Sequence, residues 1–167
     1  MTTFDLRALR LRSGDQARER VEIDVEPLFL AGQPYEPRPN PAPAELAVTR
    51  ASSGTVLELS LDVKLAGPCF RCLTEAELSL SLSLREYEAT KPESDDERTE
   101  YLDDDRLDLS AWAHDAIALA LPDKILCRPD CAGLCPVCGK DLNAEPHEHT
   151  EERLDPRWAK LSELRQE

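Results

Sequence analysis

Six cysteines and two of the three histidines, arranged in close pairs, constrain this 167-residue chain more than any other feature. The pairs are Cys69-x2-Cys72, Cys127-x3-Cys131, Cys135-Pro-Val-Cys138 and His147-x-His149. A Cys-x2-Cys turn lets two thiolates reach one ion, and Gly139 permits the left-handed backbone that such a turn often needs. Four soft ligands in tetrahedral geometry suit zinc. The sequence therefore predicts about two structural Zn²⁺ ions.

These ligands can be divided between metal sites in more than one way. Our preferred division joins Cys69, Cys72, Cys127 and Cys131 in one site, and Cys135, Cys138, His147 and His149 in a second, local site. The rival division is a single ribbon-like site of Cys69, Cys72, Cys135 and Cys138, with Cys127 and Cys131 free or exchanged into it. The histidines are also compatible with exposed loop residues, although their closeness to Cys138 favours ligation. The sequence leaves these alternatives open.

The expected compartment supports metal binding over disulfides. The first residues lack a basic segment followed by an apolar one, and the longest apolar run, 116–121, is far shorter than the ~20 residues that span a bilayer. We therefore expect a cytoplasmic protein without membrane contact. In a reducing compartment, cysteine pairs at short spacing indicate metal sites.

The chain is strongly acidic, with 20 Lys and Arg against 34 Asp and Glu, a formal charge of −14. This charge opposes general binding of nucleic acids, which requires a basic face. Five arginines near the N-terminus are expected to form a solvated surface rather than an RNA site: Arg7, Arg10, Arg12, Arg18 and Arg20. Residues 93–105 are mostly acidic, which predicts a mobile solvated loop or, alternatively, a docking segment for a basic partner.

The rest of the chain up to about residue 90 has mostly β patterns. Alternation in Val21-Glu-Ile23-Asp-Val25 indicates a strand, and residues 45–65 indicate a hairpin that turns at Ser53-Gly54. Leucines alternate with serines over 78–84, which predicts a strand with one wet face. Six of the 13 prolines lie in residues 27–43, so we expect an extended loop there.

Helical signals are confined to the later part of the chain. Apolar residues at helical spacing predict a helix over 109–121, capped by Asp108 or Ser110 and ended by Pro122. A short terminal helix is predicted at Asp155-Pro156-Arg157-Trp158, with aspartate as cap and proline in the first turn.

Together these patterns predict an α+β fold: antiparallel β-hairpins or sheet, one main amphipathic helix, and a C-terminal zinc-knuckle segment ending in a short helix. We expect a mixed, β-rich core domain over residues 1–126, with a Pro-rich loop at 27–43 and an acidic loop at 93–105. Residues 127–167 are expected to be the cysteine- and histidine-containing zinc segment, packed on that core.

Catalysis is not expected. A catalytic zinc keeps an open position for water, whereas four protein ligands saturate each predicted site. The sequence also lacks a phosphate-binding Gly-rich loop, a Gly-x-Ser-x-Gly elbow and a His-Glu-x-x-His helix. No catalytic residue and no small-molecule substrate are therefore predicted.

Several motifs, in order and spacing, resemble one known family. They are Cys69-Phe-Arg-Cys72, Asp108-Leu-Ser, Ala118-Leu-Ala-Leu-Pro122, Cys127-Arg-Pro-Asp-Cys131-Ala-Gly-Leu-Cys135-Pro-Val-Cys138-Gly139, Asp141-Leu-Asn143 and Asp155-Pro-Arg-Trp-Ala-Lys-Leu161. This set is similar to the YceD-type large ribosomal RNA subunit accumulation proteins of bacteria and plastids, from about Glu45 onward. Some relatives lack the Cys-Pro-x-Cys-Gly knuckle, which fits a separable second site.

The resemblance implies a cytoplasmic factor that supports accumulation of the large-subunit (23S) ribosomal RNA and ribosome assembly. It also implies a gene that commonly lies beside that of a small basic ribosomal protein. Two hypotheses follow: a non-enzymatic factor that binds a basic ribosomal protein or the rRNA of the pre-ribosome, and, as the alternative, a zinc-dependent RNA-processing enzyme. The charge of −14 favours a basic protein over bare RNA as the direct partner.

Overall fold

The computed structural model describes residues 1–149 and divides the chain into two units, Met1–Cys131 and Ala132–Glu167. The first unit consists mainly of antiparallel strands, with a single α-helix among the described residues. The second, over residues 132–149, is built from turns and one β-bridge between Leu134 and Asp141. The predicted fold class is confirmed, while the predicted helix at Asp155 lies outside the described residues.

The first unit contains nine strands and one helix. In chain order they are β1 Thr3–Asp5, β2 Gln16–Ile23, β3 Leu28–Leu30, β4 Gln33–Arg38, β5 Ala42–Arg50, β6 Gly54–Pro68, β7 Glu75–Ala89, β8 Leu102–Asp103, β9 Arg106–Asp108 and α1 Leu109–Ala120. Short 3-10 helices cover Leu6–Leu9 and Asp95–Glu97. The main sheet has the order β2-β5-β6-β4-β3, with β7 on the other edge of β6, and a smaller sheet has the order β1-β9-β8.

The hairpin of β6 and β7 is the longest feature of the main sheet, with 15 residues in each strand. Leu59 lies opposite Leu84, and Leu61 lies opposite Leu82, so the leucines of both strands share one face. Those of β6 are buried and those of β7 are half-buried. The predicted strand with alternating leucines and serines is confirmed, as is the β5–β6 hairpin that turns before Gly54.

Helix α1 begins and ends where the sequence predicts. The side chain of Asp108 accepts a hydrogen bond from the backbone N–H of Ala111 at 3.0 Å, which caps the first turn. The helix ends at Ala120, two residues before the proline. Its apolar side packs into the first unit, and the buried residues are Leu109, Trp112, Ala113 and Ile117. Each large apolar side chain buried in this way contributes about 1.5–3 kcal/mol.

The prediction of a loop over residues 27–43 is wrong, because β3, β4 and the start of β5 lie there. The φ that proline imposes is compatible with extended backbone, so proline stays in a strand where its missing N–H is tolerated. Tyr35 and Pro37 are buried, and the Tyr35 hydroxyl donates to the Pro68 carbonyl at 2.6 Å. Burial of these side chains stabilises the strand, although the prolines cannot donate backbone hydrogen bonds.

The acidic segment 93–105 also has more structure than predicted. It contains the 3-10 helix Asp95–Glu97 and strand β8. The guanidinium of Arg7 donates to the carboxylates of Asp104 and Asp105, which offsets part of the repulsion among the acidic groups. Thr99 is buried, and its N–H donates to Glu88 at 2.9 Å. The expectation of a loop without regular structure is therefore wrong for these parts.

The division between the units falls between Cys131 and Ala132, somewhat after the predicted boundary at 126. The reason is that Cys127 and Cys131 are gathered with the cysteines of the β6–β7 turn. The packing of the C-terminal segment on the core stays a prediction. Among residues 1–149, no helix has the length and apolar character needed to cross a bilayer.

Candidate metal centres

The first cysteine cluster lies at the turn between β6 and β7. Strand β6 ends at Pro68 and β7 begins at Glu75, so Cys69 and Cys72 occupy the connecting residues. The Cys69 N–H donates to the Thr74 carbonyl at 2.7 Å, and the Leu73 N–H donates to the Cys69 carbonyl at 3.0 Å. Leu73 takes a positive φ of 61° to close this turn. These bonds hold both sulfurs on the same side of the loop.

The segment after α1 returns to this turn and brings the other pair. The Phe70 N–H donates to the Ile125 carbonyl at 2.8 Å, and the Arg71 guanidinium donates to the Cys131 carbonyl at 2.7 Å. The four sulfur atoms, from Cys69, Cys72, Cys127 and Cys131, lie within 4.8 Å of one another. Three of these cysteines are buried and Cys127 is exposed.

The spacing of these sulfurs fits a zinc ion. The Sγ atoms of Cys69 and Cys131 are 3.8 Å apart, and those of Cys72 and Cys127 are 3.6 Å apart. A tetrahedron with Zn–S bonds of about 2.3 Å has S···S edges of about 3.8 Å. This donor set can therefore close around one tetrahedral ion without large movement.

The electrostatics of the first cluster favour thiolates at two positions. Burial raises the pKa of Cys69, but hydrogen bonds from the backbone N–H groups of Cys72, Cys127 and Arg71 outweigh it and lower the pKa to about 6. The Thr74 hydroxyl, 3.0 Å from Cys72 Sγ, lowers the pKa of that thiol. At Cys127, loss of water around the sulfur, and then hydrogen bonding with the neighbouring cysteine sulfurs, raises the pKa to about 12. A cation would release the remaining protons, because metals bind the thiolate form.

The second cluster is formed within the second unit. The Gly139 N–H donates to the Cys135 carbonyl and the Cys135 N–H donates to the Lys140 carbonyl, each at 2.8 Å. Gly139 has a φ of 74°, so a residue with a side chain would strain this turn. The ligand atoms of the cluster lie within 4.8 Å of one another and belong to Cys135, Cys138, His147 and His149.

Hydrogen bonds orient the ligand atoms of the second cluster. His147 Nδ1 lies 2.7 Å from the Glu145 carbonyl, which leaves its Nε2 facing Cys138 Sγ at 3.1 Å. The Glu145 carbonyl, and then the Cys135 sulfur, raise the pKa of His147. Backbone N–H donation from Cys138 lowers the pKa of Cys135 to about 6. A neutral histidine beside thiolates is a suitable set of donors for zinc.

The structure thus gathers the eight predicted residues in two sets of four, and these sets are those of the preferred division. Both sets can hold a metal ion, whereas ligation by each residue stays a prediction. Sequence reasoning assigned no role to Arg71, Thr74 or Asn143. Their side chains support the two loops, since Asn143 Oδ1 accepts a hydrogen bond from the Ala132 N–H at 2.8 Å. In the sequence, their role is indicated by their positions within or close to the cysteine motifs.

Comparison with protein families places these clusters in a known context. The family model described as large ribosomal RNA subunit accumulation protein YceD matches residues 57–165, a range that contains all eight cysteine and histidine positions. No solved structure matches this chain.

Curated relatives come from mycobacteria. Uncharacterized proteins of Mycobacterium bovis and Mycobacterium tuberculosis are each 38% identical over 125 residues, covering 72% of this chain and 60% of the relative. An uncharacterized protein of Mycobacterium leprae is 32% identical over 129 residues, covering 74% of this chain and 59% of the relative. The chain therefore spans about three fifths of the length of these relatives.

Proposed function

This chain belongs to the YceD family of large ribosomal RNA subunit accumulation proteins, and from that membership we propose that it supports accumulation of the 23S ribosomal RNA during ribosome assembly. The observation that carries the proposal is the family match, which includes both cysteine clusters. The cytoplasmic location expected from the sequence is part of the same proposal.

We propose a binding factor with two structural zinc ions rather than an enzyme. Each cluster supplies four donor groups, so a tetrahedral ion in it has no position left for a reacting water. In the first cluster, four thiolates around Zn²⁺ would carry a net charge of −2, which makes the ion a poor Lewis acid. Zinc in such a site stabilises the loops that hold it.

We propose a basic ribosomal protein as the direct partner. The charge of −14 favours it, and two of the five N-terminal arginines are paired with carboxylates of the same chain. Arg7 pairs with Asp104 and Asp105, and Arg18 pairs with Glu45 at 3.3 Å. By contrast, Glu93, Asp95, Asp96 and Glu100 are exposed.

An open cavity of about 520 Å³ in the first unit adds acidic surface. Its acidic lining residues are Asp24, Glu26, Asp108 and Asp115. Opposite charge of this kind steers a basic partner from a distance and speeds association.

The test begins with a pull-down of the native protein that identifies which ribosomal components come with it. We expect a basic ribosomal protein, bound with an on-rate that falls steeply as salt rises. A first variant neutralises four exposed acidic groups of the segment that make no side-chain hydrogen bond, through Glu93→Gln, Asp95→Asn, Asp96→Asn and Glu100→Gln. A control variant removes the same charge from the main sheet, through Glu19→Gln, Glu22→Gln, Glu36→Gln and Glu58→Gln.

The first variant is expected to bind about tenfold more slowly at low salt, and the control variant is expected to lose less. Equal on-rates for the native chain and the first variant would show that the acidic segment is only a solvated surface. Binding of bare rRNA at physiological salt, with no ribosomal protein present, would contradict the proposed partner.

A further inference from the structure

The β7 edge of the main sheet is unpaired within residues 1–149. Strand β7 pairs with β6 along its whole length, Glu75–Ala89, and no other strand in this part of the chain pairs with its outer edge. An open edge presents a row of free backbone N–H and C=O groups that another strand can bind.

This edge lacks the usual features that prevent strand pairing. Between Leu78 and Leu84, leucine and serine alternate without a charge or a proline. The register against β6 is continuous, so no bulge twists the strand away. Natural open edges usually carry lysine, proline or a bulge, and a long flat edge without them indicates a docking surface.

We propose that a second copy of this chain pairs its β7 with this edge, antiparallel, about a two-fold axis through Ser81. The strand is self-complementary in that register. Leu78 then lies opposite Leu84 of the partner subunit, Leu80 lies opposite Leu82 of the partner subunit, and Glu77 lies opposite Arg85 of the partner subunit. Two-fold symmetry repeats each of these contacts on the other side of the axis.

Neighbouring registers of the two β7 strands place fewer complementary residues opposite each other. An axis through Leu82 places Leu78 opposite Glu86 of the partner subunit and Ser79 opposite Arg85 of the partner subunit. An axis through Leu80 pairs Glu75 with Arg85 of the partner subunit, but it sets Leu84 opposite Ala76 of the partner subunit and therefore forms fewer leucine pairs. Cross-strand pairs of apolar residues or of opposite charges stabilise a sheet, so the Ser81 register is favoured.

The surface beside this edge also leaves room for a partner. An open groove of about 440 Å³ lies between β7 and α1, lined by Leu84, Trp112 and Leu119 among others. Leu119 is 89% exposed. In the Ser81 register, Leu78 of the partner subunit comes next to Leu84, at this groove, and covers apolar surface.

A second copy fits this edge better than a basic partner segment does. The central part of the edge carries no charge, so a strand rich in lysine or arginine gains little electrostatic energy there. Glu77 and Arg85 are both exposed and provide one charge of each sign, which a second copy matches and a uniformly basic segment does not. The Glu77 carboxylate lies 3.9 Å from Lys64 Nζ of its own chain, and its side chain is still 51% exposed.

Sedimentation equilibrium of the full, metal-loaded chain tests the proposal. The native chain is expected to form dimers at micromolar concentration. Glu77→Arg alone sets like charges opposite each other on both sides of the axis, as does Arg85→Glu alone, and each is expected to raise the dimer Kd about tenfold. Glu75→Arg is the matched control. It breaks the ion pair of Glu75 with Arg38 within the chain, as Glu77→Arg breaks that of Glu77 with Lys64, but Glu75 lies opposite Tyr87 of the partner subunit and meets no charge there.

Mixing the two single variants provides a second measurement that does not depend on loss of binding. Glu77→Arg in one copy complements Arg85→Glu in the other, so the mixture is expected to form heterodimers with a Kd near the native one, and circular dichroism checks that each variant is folded. A native chain that stays monomeric to millimolar concentration overturns the proposal. The proposal is also overturned if the single variants have an unchanged dimer Kd or if their mixture fails to associate. A Glu75→Arg effect on the Kd equal to that of Glu77→Arg overturns it as well.

Discussion

The two candidate metal centres differ in how far each reaches along the chain. In the first, 62 positions separate Cys69 from Cys131, and both side chains are fully buried. In the second, nine positions separate Cys138 from His147, and Cys138 is exposed. A crosslink between distant segments restrains the unfolded chain more than a local one does. With metal bound, the first centre is therefore expected to add to the stability of its unit, and the second to organise only its own loop.

The largest expected effect follows from this difference in loop length. Cys69→Ser should lower the free energy of unfolding of the main transition by about 4 kcal/mol, as for a crosslink that closes a loop of comparable length. Cys138→Ser should change it by less than about 0.5 kcal/mol. Urea unfolding of the zinc-loaded proteins, followed by circular dichroism, measures both. Equal losses in the two variants would mean that the centres are not independent.

Metal content gives the next largest contrast. Protein purified without a tag is expected to hold about two zinc ions per chain, because each set of four donors fills one tetrahedral site. His147→Ala combined with His149→Ala should leave about one zinc, measured by elemental analysis. His114→Ala is the control, since His114 belongs to neither cluster. A single zinc that is insensitive to the double substitution would support the ribbon-like site instead.

Acid should weaken metal binding at the second centre. The raised pKa of His147 means that a proton competes with the metal at higher pH, so the apparent affinity of the second centre falls as the pH drops through that pKa, above 6.5. A chromogenic chelator in a pH titration should report release of this metal as the pH drops through that range, and the variant with His147→Ala and His149→Ala, which lacks these ligands, is the control. Retention of the second metal through that range would contradict this prediction.

The smallest expected effect concerns the side chains that support the ligands. Thr74→Val keeps the volume but removes the hydroxyl that hydrogen-bonds to Cys72, and it should weaken zinc binding at the first centre about tenfold. Asn143→Ala should do the same at the second centre by freeing the Ala132 N–H. Competition titration with a chelator measures both. Weakening of the other centre by either substitution would show coupling between them.

Much of the fold was predictable because local patterns agree with the tertiary packing. Alternating leucines in β7 and the Asp108 cap of α1 required only residue spacing. The prediction of a loop over 27–43 was wrong because proline tolerates extended backbone, and because the burial of Tyr35 depends on residues far away in the chain. The prediction for the acidic segment was wrong for a similar reason, since its counter-charge, Arg7, lies about a hundred positions earlier in the chain.

The sequence by itself determined which residues are candidate ligands, because thiolate and imidazole chemistry and short spacing are local properties of the chain. Only the tertiary structure decided which pairs come together. That outcome depends on where the segment after α1 returns. Hydrogen bonds from the Phe70 N–H to the Ile125 carbonyl and from the Arg71 guanidinium to the Cys131 carbonyl hold it beside the β6–β7 turn. Backbone contacts between distant segments cannot be inferred from residue spacing. The choice between the two divisions of the ligands therefore required the tertiary structure.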